Sequence, residues 1–416
     1  MTSILFRRFL RLLPVLLWLG VPVCPAAAQA PEPARFLLES ILVEGVQRDA
    51  PRQIVVGESL LKPGGEYTEQ ELREAVYRIK RLPFVLDAEF SLRKGSERGA
   101  YELVITVEET SVFFYSAHFG GSYDADDGFG RDEDRIDWGA SGTAGARWFV
   151  GSQGLVFGSV QAFDQGGVQT AQVGYTHFNL FGRGGFATVG LATSVDDDAA
   201  DGYQGSFSLG LPIAGNHSIR IDLSTQQLDY GRFAGVSFER ESQAVDVAWI
   251  YDTTDDPLFP STGIKVTGSL GYSTSLDTTN EDFFGRRESR FKGYQTELAA
   301  RRHWALTPRQ SIGAELGGQI DRVEDDENHV FAGYTRYGGT AALLHSMDLW
   351  GFEKTERIGD FRWENAVRVG YSDAESDFYD VNDSNLQLET SLAFRNTWGV
   401  MRLSFGYFET LGEYEP

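Results

Sequence analysis

The sequence predicts a small α+β domain followed by an all-β, transmembrane antiparallel barrel of about 16 strands, of which about 15 can be read. Three observations predict the barrel: a hydropathy period of two from Ser111 onward, connections that alternate between short turns and long acidic segments, and charges on the face opposite the apolar one. An aromatic content of 13% excludes a disordered chain. A net charge of −23 argues against nucleic acid as a partner, because phosphate binding needs clustered Lys and Arg.

Residues 1–28 are predicted to be a signal peptide. Arg7, Arg8 and Arg11 supply the positive start, residues 12–23 the apolar run, and three alanines at 26–28 the cleavage site. An uncleaved anchor helix is the alternative, but two prolines interrupt the apolar run, which is already short for a span of about 20 residues. We therefore expect export from the cytoplasm.

Residues 35–109 are predicted to form an α/β unit with the order β-α-α-β-β. A strand and a helix come first, and Thr68 then caps a second helix in which Glu71 completes a capping box. This helix has one apolar stripe for packing on a sheet, made of Leu72, Ala75, Val76 and Ile79. Two strands with alternating apolar residues complete the unit.

From Ser111 to the end, apolar and polar side chains alternate. Phe361, Trp363 and Val367 lie on one face of a strand, whereas Arg362 and Glu364 lie on the other. A soluble sandwich or propeller is the alternative, but a barrel in lipid accommodates both faces, since its outside meets hydrocarbon and its lumen is wet. The predicted strands are 111–123, 135–150, 154–163, 169–179, 185–195, 203–211, 218–228, 241–251, 264–275, 289–305, 310–322, 338–350, 359–372, 385–396 and 400–409.

The connections between these strands predict which end of the barrel faces which side. The short turns are 151–154, 179–184, 307–309 and 397–399. The longer and mostly acidic segments are 124–134, 196–201, 229–239, 276–288, 323–337 and 373–383. Tight turns at one end and long loops at the other are typical of outer-membrane barrels, whose short turns face the periplasm.

Three motifs resemble those of the BamA/TamA-type outer-membrane assembly superfamily, the bacterial surface antigen family. Residues 41–46 (Ile-Leu-Val-Glu-Gly-Val) stand where a POTRA domain has its opening I-x-V-x-G strand. Residues 179–184 and 251–263 match two turns common in these barrels, the second being the D-x-x-D-x-x-x-x-P-x-x-G turn. We interpret both turns as structural, because proline removes a ladder donor and glycine permits the turn. Their signature residues are Asn179, Leu180, Gly182, Gly184, Asp252, Asp256, Pro260 and Gly263.

The resemblance also implies a sixth outer loop that folds into the lumen and carries an Arg-Gly-aromatic motif. In the segment 323–337 and the residues after it, Arg336, Tyr337 and Gly338 are the candidates, although their order is Arg-Tyr-Gly. A buried arginine needs a carboxylate partner, and Glu364 on the inner wall is the predicted one. A solvated surface arginine is the alternative.

Family members have one further strand that ends in an aromatic residue. We therefore expect the barrel domain, 111–416, to lack its last strand or to be truncated before it, unless the strand count is off by one. An unpaired edge at membrane depth would cost several kcal/mol for each lost backbone hydrogen bond, which argues against a stable open sheet of about 15 strands.

The resemblance implies an outer-membrane protein whose periplasmic POTRA domain receives unfolded outer-membrane or secreted clients, which the barrel then inserts or translocates. Its implied partners are outer-membrane lipids, clients and accessory periplasmic proteins or lipoproteins. No catalytic, cofactor or metal motif is found; the six histidines are scattered, and the acidic stretches are better explained as solvated loops than as calcium sites. A passive or gated porin-like channel and a barrel enzyme such as a lipase are the alternatives.

Overall fold

The computed structural model describes residues 33–46, 48–124, 135–163, 169–182, 184–195, 201–233, 236–281, 285–325, 333–350, 359–376 and 380–410. The predicted signal peptide lies outside these residues. Among them, no helix is long and apolar enough to cross a membrane. They form an N-terminal α/β unit and a closed β-barrel.

The α/β unit has a four-stranded sheet with the order β2-β1-β4-β3. β1 and β4 are parallel, and β3 and β4 are antiparallel. The strands are β1 Arg35–Glu44, β2 Glu66–Thr68, β3 Val85–Lys94 and β4 Ala100–Glu109, and the helices are α1 Asp49–Ser59 and α2 Glu69–Lys80. The unit therefore has the predicted order with one short strand, β2, added between the helices.

The predicted capping box and apolar stripe of α2 are confirmed. Thr68 Oγ1 accepts the Glu71 N–H at 3.2 Å, and Glu71 Oε2 accepts the Thr68 N–H at 2.7 Å. The four residues of the stripe are buried against the sheet. The core of the unit includes Leu38, Val43, Ile54, Val55, Leu103 and Ile105.

All fifteen barrel strands predicted from the alternation are present. They are β5 Phe113–Asp124, β6 Arg135–Val150, β7 Gly154–Phe163, β8 Gln169–Phe178, β9 Phe186–Val195, β10 Asp201–Ala214, β11 His217–Phe233, β12 Val236–Asp252, β13 Gly263–Glu281, β14 Gly285–Thr307, β15 Gln310–Asp325, β16 Tyr334–Trp350, β17 Asp360–Ser376, β18 Asp380–Asn396 and β19 Gly399–Thr410. Each strand pairs antiparallel with the next, and β19 pairs with β5.

The closing pair is parallel, because an odd number of alternating strands leaves the first and the last pointing the same way. The open edge that the sequence analysis argued against does not occur among the described residues: β5 and β19 are in register from Tyr115 and Gly399 to Asp124 and Phe408. Pairing between these two strands satisfies the backbone groups that an open sheet would expose.

The two faces of the barrel have the predicted polarity. The outward face is apolar and exposed, as at Val160, Val173, Val189, Leu191, Leu223, Leu270, Leu298, Ile320, Leu343, Val367, Leu388 and Phe405. The inward face carries charged pairs, such as Arg368 with Glu389 at 2.6 Å and Arg220 with Asp222 at 2.6 Å. This arrangement suits a barrel in lipid with a wet lumen.

Several barrel strands are longer than the alternation predicted. β13 has 19 residues and β14 has 23, whereas about 9–11 residues suffice to cross a bilayer. Much of the predicted long segments 229–239 and 276–288 therefore belongs to strands. Ion pairs across the wall hold these extensions together, as where Arg240 binds Asp277 through two hydrogen bonds of 2.7 Å.

The core of the α/β unit continues into the barrel at its short-turn end. Phe84, which follows α2, packs edge-to-face on Phe149 of β6 and Phe178 of β8, with ring centroids 5.0 and 6.2 Å apart. Arg147 of β6 donates hydrogen bonds to Pro83 O and to Thr110 Oγ1, the second at 2.5 Å. The unit therefore lies against the end that the sequence assigned to the periplasm.

Candidate functional site

The turn between β12 and β13, residues 253–262, is folded inward. Its Asp256 and Pro260 contact Arg395 of β18 and Arg362 of β17. β18 is five strands away from β13 around the wall, or about 24 Å at about 4.8 Å per strand. Contacts over this separation require the turn to cross the lumen.

Arg395 holds the turn through an ion pair and a ring. Its Nη1 donates to Asp256 Oδ2 at 2.6 Å, its Nη2 donates to Asp360 Oδ2 at 2.9 Å, and its guanidinium carbon lies 4.9 Å from the centre of the Phe259 ring. The side chains of Arg395 and Asp256 are only 12% and 13% exposed, so the pair is largely shielded from water. Removing one partner would leave the other charge buried without compensation.

The environment of Asp256 favours its ionised form. Burial alone would raise its pKa, but the charge of Arg395 and the backbone hydrogen bonds from Phe259 and Leu258 outweigh this effect. The pKa of Asp256 therefore lies below its usual range. The carboxylate is charged at neutral pH and can bind the arginine.

Arg362 is a second arginine at this site and is 3% exposed. Its Nη2 donates to Pro260 O at 2.8 Å and to Ser311 Oγ at 3.1 Å, and also to Ser346 Oγ. Carboxylates of the wall lie farther away, Asp348 at 3.8 Å and Glu364 at 3.9 Å from its Nε. The turn thus supplies the carbonyl oxygen that a buried guanidinium requires.

Hydrogen bonds within the turn keep its shape independent of the wall. Asp255 Oδ1 accepts the N–H groups of Ser261 and Thr262 at 2.8 and 3.0 Å. Asp252 Oδ1 accepts the N–H and the hydroxyl of Thr254 at 3.0 and 2.7 Å. Gly263 has φ +107, and a Cβ there would lie 2.4 Å from a backbone oxygen, which explains the motif's glycine.

The base of the same turn is attached to the α/β unit. Arg81, directly after α2, donates to Asp252 Oδ1 at 2.9 Å and to Thr254 O at 3.1 Å. Arg78 of α2 donates to Asn216 Oδ1 in the turn between β10 and β11, at 3.3 Å. The turn therefore connects the α/β unit, at its base, with the far wall of the barrel, at its tip.

The turn between β8 and β9 lies against the end of α1. Asn179 adopts φ 55, and its side chain accepts the Gly184 N–H at 3.1 Å. A Cβ on Gly57 would lie 2.5 Å from the Asn179 side chain, and one on Gly184 would lie 3.0 Å from Leu60. Leu180 and Gly182 lie within the bend between Asn179 and Gly184. These close approaches fit the structural role predicted for the turn.

Glu58, near the end of α1, faces this junction. Burial raises its pKa, against the effect of a backbone hydrogen bond from Gly185 and the charges of Arg78 and Arg81. The junction therefore disfavours the ionised form of this carboxyl group.

The structure separates the residues of the predicted loop motif from their predicted partner. Arg336, Tyr337 and Gly338 lie in β16 and not in a loop, and Arg336 is an exposed residue in register with Ala374 of β17. Glu364 lies ten residues from Ala374 along β17, or about 33 Å at about 3.3 Å per residue. Glu364 instead binds Arg402 of β19 at 2.8 Å. The three motif residues differ from the predicted placement because β16 already begins at Tyr334, and they pair with β15 on one side and β17 on the other.

Side-chain contacts add to the backbone pairing at the seam between β5 and β19. His118 Nε2 lies 2.6 Å from Ser404 Oγ, and the rings of Tyr123 and Tyr407 stack with centroids 5.8 Å apart. Both contacts join the first strand of the barrel to the last one through side chains.

A groove of about 500 Å³ runs between α2 and β3 in the α/β unit. Apolar and aromatic residues line it together with four charged ones: Phe36, Val76, Tyr77, Phe90 and Leu92, and Glu69, Arg73, Lys80 and Glu89. β3 is an edge strand, hydrogen bonded to β4 on one side only within the described part of the unit. An extended peptide could add to this edge and place alternate side chains in the groove.

No group of His, Cys, Asp and Glu residues that could hold a metal ion occurs in the described parts of the chain.

Comparisons with known proteins give structural matches only. No family model and no curated protein matches the chain. It is similar to BamA from Haemophilus ducreyi lacking POTRA domains 1–3, with TM-score 0.47 and 12% identity, over 91% of this chain and 82% of that chain. It is also similar to CdiB from Acinetobacter baumannii (TM-score 0.40, 11% identity, 86% of this chain and 70% of that chain). A bacterial polysaccharide outer membrane secretin matches with TM-score 0.40 and 14% identity, over 70% of this chain and 93% of that chain.

Proposed function

We propose that this protein is a non-enzymatic outer-membrane factor that inserts or translocates client proteins, with its α/β unit in the periplasm. The α/β unit, residues 35–109, would act as a POTRA domain, and residues 113–410 would form the barrel. The observation that carries the proposal is the edge strand β3 beside a groove with apolar and aromatic lining residues, in a unit packed on the short-turn end of the barrel. A client at this edge lies next to the barrel that would receive it.

The physical basis is strand addition. An unfolded outer-membrane protein has exposed alternating segments whose backbone groups lack partners, and an edge strand satisfies these groups without requiring a particular sequence. The groove would select alternate apolar side chains. No nucleotide is needed, because burial of apolar area and closure of hydrogen bonds in the bilayer favour insertion. Outer-membrane lipids would contact the apolar outer face, and accessory lipoproteins or periplasmic proteins would be further partners.

A permanently open porin is less well supported. The inward turn occupies the lumen at the short-turn end, and its contacts with Arg362 and Arg395 are buried. A standing pore of this size would need that space free.

Site-specific photo-crosslinking tests the client site. A photoreactive amino acid replaces Ser91, an exposed residue of β3, in the full chain folded in lipid nanodiscs, and the probe is a purified outer-membrane barrel protein diluted from urea. We expect crosslinks from position 91 that an excess of a second unfolded barrel protein competes away. The matched control replaces Glu97, exposed in the turn after β3. Equal crosslinking from both positions would contradict the proposal.

A further inference from the structure

We propose that residues 253–262 are a removable plug, and that its release from Arg362 and Arg395 opens a pore for ions and small solutes through the barrel. This activity is separate from the proposed client binding, because it requires neither the groove nor β3. It would be a gated permeation function of the barrel itself.

The first argument is that the plug can move as one piece. Within it, Asp255 accepts the N–H groups of Ser261 and Thr262, so these hydrogen bonds use groups of the plug alone. Asp256 Oδ1 likewise accepts the N–H groups of Leu258 and Phe259, both at 2.8 Å. Undocking would leave these bonds intact, so the turn need not unfold to leave the wall.

The second argument is that few contacts hold the tip. The ion pair of Asp256 with Arg395, the hydrogen bond from Arg362 to Pro260 O, and the packing of both guanidinium groups on Phe259 connect it with the far wall. The ring centre of Phe259 lies 5.6 Å from the Arg362 guanidinium carbon. Both arginines retain wall partners, Asp360 for Arg395 and two serine hydroxyls for Arg362. The wall can therefore keep its charged groups partly satisfied after the turn leaves.

The third argument is that the plug lies in the lumen, where a pore would pass. Leu258 and Pro260 of its tip line a cavity of about 120 Å³ together with the wall. It is lined by charged side chains of the wall, among them Arg301, Arg368, Glu364, Glu389 and Arg402. Barrels with 16 to 18 strands can enclose an aqueous channel, and this barrel has nearly as many.

The fourth argument is a route for control. Arg81 after α2 binds Asp252 at the base of the plug, so displacement of the α/β unit would pull on the turn directly. The base and the tip of the plug thus contact two different parts of the protein through carboxylates four residues apart.

Single-channel recording in planar lipid bilayers tests the proposal. The full chain is compared with the variants Asp256→Asn and Arg395→Gln, each checked for barrel folding by its heat-modifiable mobility in gels. We expect each variant to raise the open probability at least tenfold. The double variant should add little to either single one, because both remove the same ion pair. Arg395→Gln also leaves the internal hydrogen bonds of Asp256 in place, so it remains informative if Asp256→Asn does not fold.

The matched control is Arg220→Ala, which removes another inner-wall arginine, whose ion-pair partner is Asp222 of its own strand. Its open probability should equal that of the unaltered protein. An unchanged open probability in both folded test variants, or an equal increase in the control, would overturn the proposal. The crosslinking of clients at position 91 is a separate readout, so failure of one proposal is distinguishable from failure of the other.

Discussion

Replacing Phe84 with alanine should loosen the α/β unit from the barrel. The Phe84 side chain is 2% exposed, and its ring packs edge-to-face on Phe149 and Phe178. Phe→Ala substitutions in a core cost about 3–5 kcal/mol. Each aromatic pair contributes about 0.5–1.5 kcal/mol of such a cost beyond the buried area. A substantial part of the lost stabilisation free energy should therefore come from the contacts between the unit and the barrel, and not only from the unit's own core.

Hydrogen exchange of the α2 amides in the detergent-folded full chain measures this loss. A drop of about 3–5 kcal/mol corresponds to exchange that is faster by between about 100-fold and a few thousand-fold, at tenfold per about 1.4 kcal/mol. The matched control is Phe405→Ala, because Phe405 is 44% exposed on the outer face. It should leave the protection of α2 unchanged.

A double variant tests whether the contact between Phe84 and Phe149 accounts for the loss of stability. If Phe84 and Phe149 stabilise the junction through their contact, the loss in Phe84→Ala/Phe149→Ala should differ from the sum of the single losses by about 0.5–1.5 kcal/mol. Strict additivity, or a loss below about 1 kcal/mol in Phe84→Ala, would refute the inference that this ring joins the two parts.

Three further predictions concern the same framework. Gly45→Ala should destabilise the α/β unit in urea far more than Gly64→Ala, since both glycines have positive φ but only at Gly45 would a Cβ meet a backbone oxygen, at 2.1 Å. Leu343→Arg on the outer face should cost about 2–4 kcal/mol in guanidinium unfolding from lipid vesicles, and Thr340→Arg on the inner face of the same strand should cost much less. Because burial raises the pKa of Glu58, its contribution to stability is present below about pH 4 and is lost as the pH rises. Glu58→Gln should therefore stabilise the unit in urea at pH 8 and have little effect at pH 4.

The strands could be predicted because membrane and lumen impose opposite polarity on neighbouring residues. Every other side chain of β17, such as Trp363 and Val367, points outward, and the residues between them point to the lumen. This alternation is a property of each strand's own sequence and does not depend on which residues of the next strand it pairs with. It therefore identifies a strand without knowledge of its neighbours. It does not locate the strand ends, which explains why β13 and β14 exceed their predicted lengths.

The α/β unit could be predicted for a similar reason, with one omission. The capping box of Thr68 and Glu71 and the apolar stripe behind it are local signals that the fold uses directly. β2 was missed because its three residues are too few to show a period. Two hydrogen bonds join β1 to the residues just before β2: Leu38 N–H donates to Gly65 O at 2.9 Å, and Gly64 N–H donates to Leu38 O at 2.6 Å. The position of β2 therefore depends on the fold of the whole unit.

A buried pair of an arginine and a carboxylate occurs in the barrel, but between residues other than those that the sequence analysis named. Arg395 and Asp256, which form such a pair, are 139 residues apart in sequence, and spacing along a chain does not tell which residues meet across a lumen. Position within the strand does carry this information. Arg362 is the third residue of β17 and Arg395 is the next-to-last residue of β18, so both lie at the short-turn end, where an inward turn can reach them. Arg336 lies near the opposite end of its strand, beyond the reach of any periplasmic turn.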